Sequence, residues 1–135
     1  MIVDASVVVS RLVPHDVHHE ASRRWLQRHV ADGGLVIAPG LLLPEIAGAV
    51  SRRTGQPRLA RRAVAAVLRL PSLRLVPIDA ALAETSAGLA ARFRLRGADA
   101  VYVAVAARLR LPLVTWDADQ RERATLIVRA ATPDD

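Results

Sequence analysis

The sequence predicts an α/β fold, specifically a three-layer α/β/α sandwich with a central parallel sheet of about five strands. Short β-branched runs alternate with longer amphipathic segments, and the connections are too long for hairpins, as parallel strands require. The 135 residues are 52% hydrophobic, enough for one buried core but too short for two ordinary domains. Residues 1–131 are therefore expected to form one domain, with residues 132–135 as a short polar tail.

The elements follow in order. MIVD is a buried strand ended by an acid. ASVVVSRLV is a short helix closed by Pro14. Asp16 is the expected N-cap of DVHHEASRRWLQRHVAD, whose Val17, Ala21, Trp25, Leu26 and Val30 recur at helical spacing before the Asp32-Gly33-Gly34 turn. LVIAP is the second strand. LLLPEIAGAVSRRTG is a helix with Pro44 in its first turn and Gly55 beyond its last. PRLARRAVAAVLRLP is an amphipathic helix with Leu59, Ala63, Val67 and Leu70 inward. LRLVPI is the third strand, and Asp79 caps a helix with Leu82, Leu89 and Phe93 as its inner stripe. ADAVYVAVAARLR is apolar on nearly every side and reads as a deeply buried helix. PLVTW is the fourth strand, DADQRERA a short helix and TLIVRAA the fifth strand.

Composition excludes several chemistries. Cysteine is absent, which removes disulfides, thiolate metal sites and Cys nucleophiles, so any metal must be held by oxygen or imidazole. All 19 basic residues are arginine, so P-loop, Schiff-base and receiver-type chemistry each lack their lysine. The apolar stretches fall short of the roughly 20 residues that cross a bilayer, and Asp4 interrupts the first of them, so a soluble, cytoplasmic protein with no membrane partner is expected. The formal charge of +6 makes a polyanion such as nucleic acid the first partner to consider.

Parallel sheets collect ligands beyond the carboxyl ends of their strands. Four acids have that address: Asp4 ends the first strand, Glu45 opens the helix after the second, Asp99 begins the buried helix and Asp117 follows the fourth strand. Singly, each has a structural reading. Asp4 can cap a helix, Glu45 can answer a helix dipole and Asp117 can sit in a turn. Asp99 has the same excuse as Glu45, weakened by its apolar flanks. Their convergence on one edge is not explained that way. Charges about 4 Å apart repel by roughly 4 kcal/mol at an effective dielectric near 20, so such a cluster must take up protons or bind a cation. Arginine could serve, but a hard divalent ion such as Mg²⁺ fits an all-oxygen site better, and phosphodiester hydrolysis is the reaction class implied.

MIVDASVVV, LLLPEIAGAV, RGADAVYVAVAARL and LVTWDADQRERA resemble, in order and spacing, the four acidic motifs of PIN-domain nucleases, in particular the VapC-like toxins of toxin–antitoxin pairs. The resemblance runs from Met1 to about Ala130 and implies a PIN-like sandwich. It also implies a Mg²⁺- or Mn²⁺-dependent endoribonuclease, paired with an antitoxin protein and assembled as a homodimer. Carried over, Asp4 and Asp99 would be the principal metal ligands. Glu45 would complete the catalytic set directly or through water, and Asp117 would be its fourth acid. Asp119 stands in reserve, because Trp116-Asp117-Ala118-Asp119 offers two acids where one is needed; the T-x-D spacing from Thr115 favours Asp117. Ser6 is a candidate hydrogen-bond partner for Asp4 or for a bound water. The resemblance is compatible with one ion or two. The alternative is a noncatalytic acidic-cleft module that binds RNA or a basic peptide.

Weaker signals lie elsewhere. His15, His18 and His19 cluster, but only Asp16 and Glu20 stand near them, so a zinc reading is disfavoured. Ser6 or Ser10 lacks the glycine pattern of a nucleophile elbow. Arg52, Arg53, Arg58, Arg61 and Arg62 read as a solvated face or as contacts to phosphates or an acidic partner. Trp25, Phe93 and Tyr102 fit core stripes, and Trp116 is the one aromatic placed to touch a base, with core packing the favoured role.

Overall fold

The computed structural model describes residues 1–135. In chain order it contains β1 (Ile2–Val3), α1 (Ala5–Leu12), α2 (His19–Ala31), β2 (Val36–Pro39), α3 (Leu42–Thr54) and α4 (Pro57–Leu68). There follow β3 (Leu73–Val76), α5 (Ala80–Phe93), α6 (Gly97–Leu109), β4 (Leu113–Val114), α7 (Ala118–Ala124) and β5 (Ala130–Ala131). The five strands form one sheet in the order β3-β2-β1-β4-β5, and every pairing is parallel. Ile2 lies opposite Ile37 on one side and Leu113 on the other, so β1 is the centre of the sheet. The α/β sandwich with a five-stranded parallel sheet is as the sequence predicts.

The strand order determines where a ligand can enter. From β1 the chain moves outward to β2 and β3, then returns across the sheet to β4 and β5. Right-handed crossovers put α1 to α4 on one face and α5 to α7 on the other. In agreement, α1 packs on α3 and α5 packs on α6. The chain therefore leaves the adjacent ends of β1 and β4 toward opposite faces, which opens a crevice at the switch point.

Local chemistry sets the element boundaries. Asp4, Asp79 and Asp117 cap α1, α5 and α7 by accepting from the backbone N–H of Ser6, Leu82 and Gln120. Gly55 closes α3 with φ at 67°, the left-handed region that disfavours a β-carbon. Helix α6 buries Ala100 and the run from Tyr102 to Ala106, consistent with an apolar sequence that has no polar face. It lies against β1, β2 and β4, over the middle of the sheet. No helix is long and apolar enough to cross a membrane.

Three details differ from the sequence reading. Helix α2 starts at His19, not after Asp16: the Asp16 carboxylate accepts from the His18 N–H and pairs with Arg53 of α3, a local turn that delays the helix. Val17 consequently lies outside the helix and is 92% exposed. Leu70 falls beyond the end of α4 and is 47% exposed, because Pro71 stops any continuation. Of TLIVRAA only Ala130 and Ala131 pair with β4. The Ile127 and Val128 amides both return to the Ala124 carbonyl at 2.8 Å, which turns this β-branched stretch back on the end of α7.

Candidate active site

Each of the four acids is placed by a different element at the β1–β4 crevice. Asp4 follows β1 and is nearly buried; its Oδ2 accepts from the Ser6 N–H at 2.8 Å and its Oδ1 from Gln120 Nε2 at 3.3 Å. Asp117 caps α7, with Oδ1 accepting from the Gln120 N–H at 2.9 Å. Asp99 stands in the first turn of α6 and Glu45 in the first turn of α3, where partial positive charge at a helix start favours a carboxylate.

The β1 and β4 ends are tied together by hydroxyls. Ser6 Oγ accepts from the Trp116 N–H at 3.0 Å and lies 3.4 Å from Thr115 Oγ1. Thr115 is fully buried, and its hydroxyl oxygen accepts from the Asp117 N–H at 3.0 Å, fixing the turn that presents the Asp117 carboxylate. The expected contact between Ser6 and Asp4 is made by the Ser6 backbone, while its hydroxyl serves Trp116. Trp116 donates its indole N–H to Ser22 at 2.7 Å and stacks on His18 with ring centroids 3.9 Å apart. It thus pins α2 to the edge of the crevice.

The electrostatics are those of a crowded negative cleft. Burial pushes the Glu45 carboxyl above the ordinary range; the Tyr102 hydroxyl opposes this, and the charges of Asp4 and Asp99 add to it. Asp99 is also pushed up, first by burial; Arg96 pulls it back, and Asp117 and Asp4 push it further. These mutual influences link all four acids. Asp119, by contrast, pairs with Arg123 on the surface and is held below the usual range. It is Asp117 whose carboxylate faces the cluster.

Three partners in the site were not singled out by the sequence. The Tyr102 hydroxyl donates to Glu45 Oε2 at 2.7 Å, and burial beside Glu45 pushes the phenol far above its ordinary range, so it remains a donor. Its position three residues after Asp99 in an apolar run was the available signal. Arg96 forms ion pairs with both Asp99 and Asp117; an arginine at i−3 from Asp99 was the hint. Gln120 is fully buried, and its Oε1 has no hydrogen-bond partner, an uncommon condition for a buried amide. Nothing in the sequence marked it.

An oxygen-only set of this charge suits a hard divalent cation, and Gln120, which donates to Asp4 through Nε2, keeps a buried Oε1 with no partner. No three of the His, Asp and Glu side chains already close around a point that could hold a metal ion. Arg96 holds Asp99 and Asp117 on its own nitrogens.

The raised Glu45 and Asp99 carboxyls have a measurable consequence. The folded chain holds these protons more tightly than the unfolded chain, so their contribution to stability is greatest below the ordinary carboxylate value and is lost as pH rises through the raised value. In EDTA, Glu45→Gln is expected to melt at nearly the wild-type temperature near pH 4 and above it at pH 7. Thermal melting of both proteins across that range checks the sign.

The sequence matches the PIN domain family over residues 1–126, and the chain belongs to that family. Its fold is similar to that of VapC20 from Mycobacterium tuberculosis, described as a sarcin–ricin loop cleaving toxin: TM-score 0.73, 23% identity, 88% of this chain and 91% of that one covered. It is also similar to FitAcB from Neisseria gonorrhoeae, with TM-score 0.74, 19% identity and 98% and 96% covered. VapBC2 from Rickettsia felis, bound to a DNA fragment from its promoter, gives TM-score 0.72, 13% identity and 97% and 96% covered. Comparison with curated protein sequences gives no match.

Proposed function

We propose that this PIN-domain protein is a metal-dependent endoribonuclease, the toxin of a toxin–antitoxin pair. The observation that carries the reading is the meeting of Asp4, Glu45, Asp99 and Asp117 at one sheet edge, with Glu45 and Asp99 both pushed toward protonation by burial and by their neighbours' charges. Asp4 and Asp99 are the residues that would hold Mg²⁺ or Mn²⁺. When bound, such an ion supplies Lewis-acid stabilisation of the charge that grows on a phosphodiester and eases deprotonation of water. Glu45, held at one oxygen by Tyr102, keeps its other oxygen free to orient a water or accept its proton. Asp117 is the fourth acid.

The net charge of +6, carried wholly by arginine, favours approach of RNA. An antitoxin partner is supported by similar folds found in toxin–antitoxin assemblies, including a complex from Klebsiella pneumoniae at TM-score 0.63. A homodimer and a cytoplasmic location belong to the same reading. The Arg96 bridge, with no closed ligand set around it, favours the second reading of a noncatalytic cleft that binds RNA or a basic peptide.

Incubation of total RNA with antitoxin-free protein separates the two. A nuclease gives discrete products with Mg²⁺ or Mn²⁺ and none in EDTA. A binding module retains RNA without product in either condition.

A further inference from the structure

The Arg96 side chain is the cation that the structure sets against the acid cluster. Arg96 occupies the N-cap position of α6, and its side chain is 63% exposed. Its Nε donates to Asp99 Oδ2 at 2.8 Å, and a terminal guanidinium nitrogen donates to Asp117 Oδ2. One fork thus bridges two acids from different elements, α6 and the β4–α7 turn. Both carboxylates gain a charge-assisted hydrogen bond, and the negative charge of the cleft is partly cancelled.

We propose that Arg96 is the site's own counter-cation and competes with a divalent metal ion for the Asp99–Asp117 pair. This rests on the reading of the protein as a metal-dependent nuclease. The physical basis is twofold. The Oδ2 atoms of Asp99 and Asp117 are already engaged by Arg96, and an oxygen directed at a guanidinium is not free to turn fully to an ion. A positive guanidinium a few ångströms from a doubly charged ion also repels it, although exposure of the Arg96 arm to solvent screens the effect. The long, mostly exposed arm of Arg96 lets it swing out at little packing cost. Once displaced it stands at the cleft mouth, where an arginine can meet a substrate phosphate in a forked contact. In its bridging position it latches the cleft while the ion concentration is low.

The test is Mn²⁺ binding by antitoxin-free protein, followed by the electron paramagnetic resonance of the free ion, with melting temperatures in EDTA as a second readout. Arg92→Ala is the control, because it removes the same charge from the last turn of α5, where Arg92 lies over the Phe93 ring and pairs with none of the four acids. Arg96→Ala is expected to bind Mn²⁺ about tenfold more tightly than wild type, the scale of losing two partly exposed ion pairs, and Arg92→Ala to stay within about twofold. In EDTA, Arg96→Ala should melt below wild type and recover more of that loss when Mn²⁺ is added. If wild type binds Mn²⁺ and Arg96→Ala binds it equally or more weakly, competition is overturned while the nuclease reading stands. If folded wild-type and Arg96→Ala proteins both take up no Mn²⁺, the nuclease reading falls and this inference with it.

Discussion

Asp99→Asn is expected to reduce RNA cleavage by at least about a hundredfold while leaving a protein as thermostable as wild type, or more so, in EDTA. The two effects share a cause. Burial and the charges of Asp117 and Asp4 disfavour the ionised Asp99 carboxyl, and Arg96 only partly offsets them. Asparagine removes the charge while keeping an oxygen that can accept from Arg96 Nε, so the fold sheds a repulsion. The same change removes the negative oxygen that the proposed divalent ion would need. Cleavage of a defined RNA and thermal melting in EDTA, measured on one preparation, check both effects. Gain of stability with loss of function is the pattern of a site held together at the expense of the fold.

Ile46→Ala is expected to destabilise the protein by about 2–5 kcal/mol, the usual range for emptying a fully buried aliphatic position. Ile46 lies beside Glu45 in α3, between Leu42 and Val50, and these three residues form the buried face of that helix. The face fixes the rotation of α3 and therefore the direction from which Glu45 reaches Tyr102. The cavity should lower the denaturation midpoint without changing the dependence on denaturant, and urea unfolding reads both quantities. Activity per folded molecule should fall less than in the acid variants, since no ligand charge is lost.

The sequence carried the architecture and the gathering of the acids further than it carried the contacts within the cleft. A parallel sheet has one ligand-bearing edge, so Asp4 and Asp117 could be assigned to it from strand ends alone, and Glu45 and Asp99 from helix starts. The bridge from Arg96 to Asp117 spans 21 residues of sequence, and the bond from Gln120 to Asp4 spans 116; no local pattern encodes such reach. Tyr102 was legible as a core residue, which it is, but a buried hydroxyl must find a partner, and that partner is Glu45. TLIVRAA misled because β-branched residues favour strands, whereas here the end of α7 claims the Ile127 and Val128 amides. Asp16 misled because a short acid before a helix usually caps it, and Arg53 lies too far along the chain for that competition to be visible.

Acids from four stretches of the chain line one cleft, and the proposed function requires that cleft to take up a divalent ion. Calorimetric titration of Mg²⁺ into antitoxin-free wild type and into the Asp4→Asn/Asp99→Asn double variant tests it most directly. Saturable uptake by wild type that is lost in the folded double variant is the expected result. Equal uptake by the two proteins, or none by either, would contradict it.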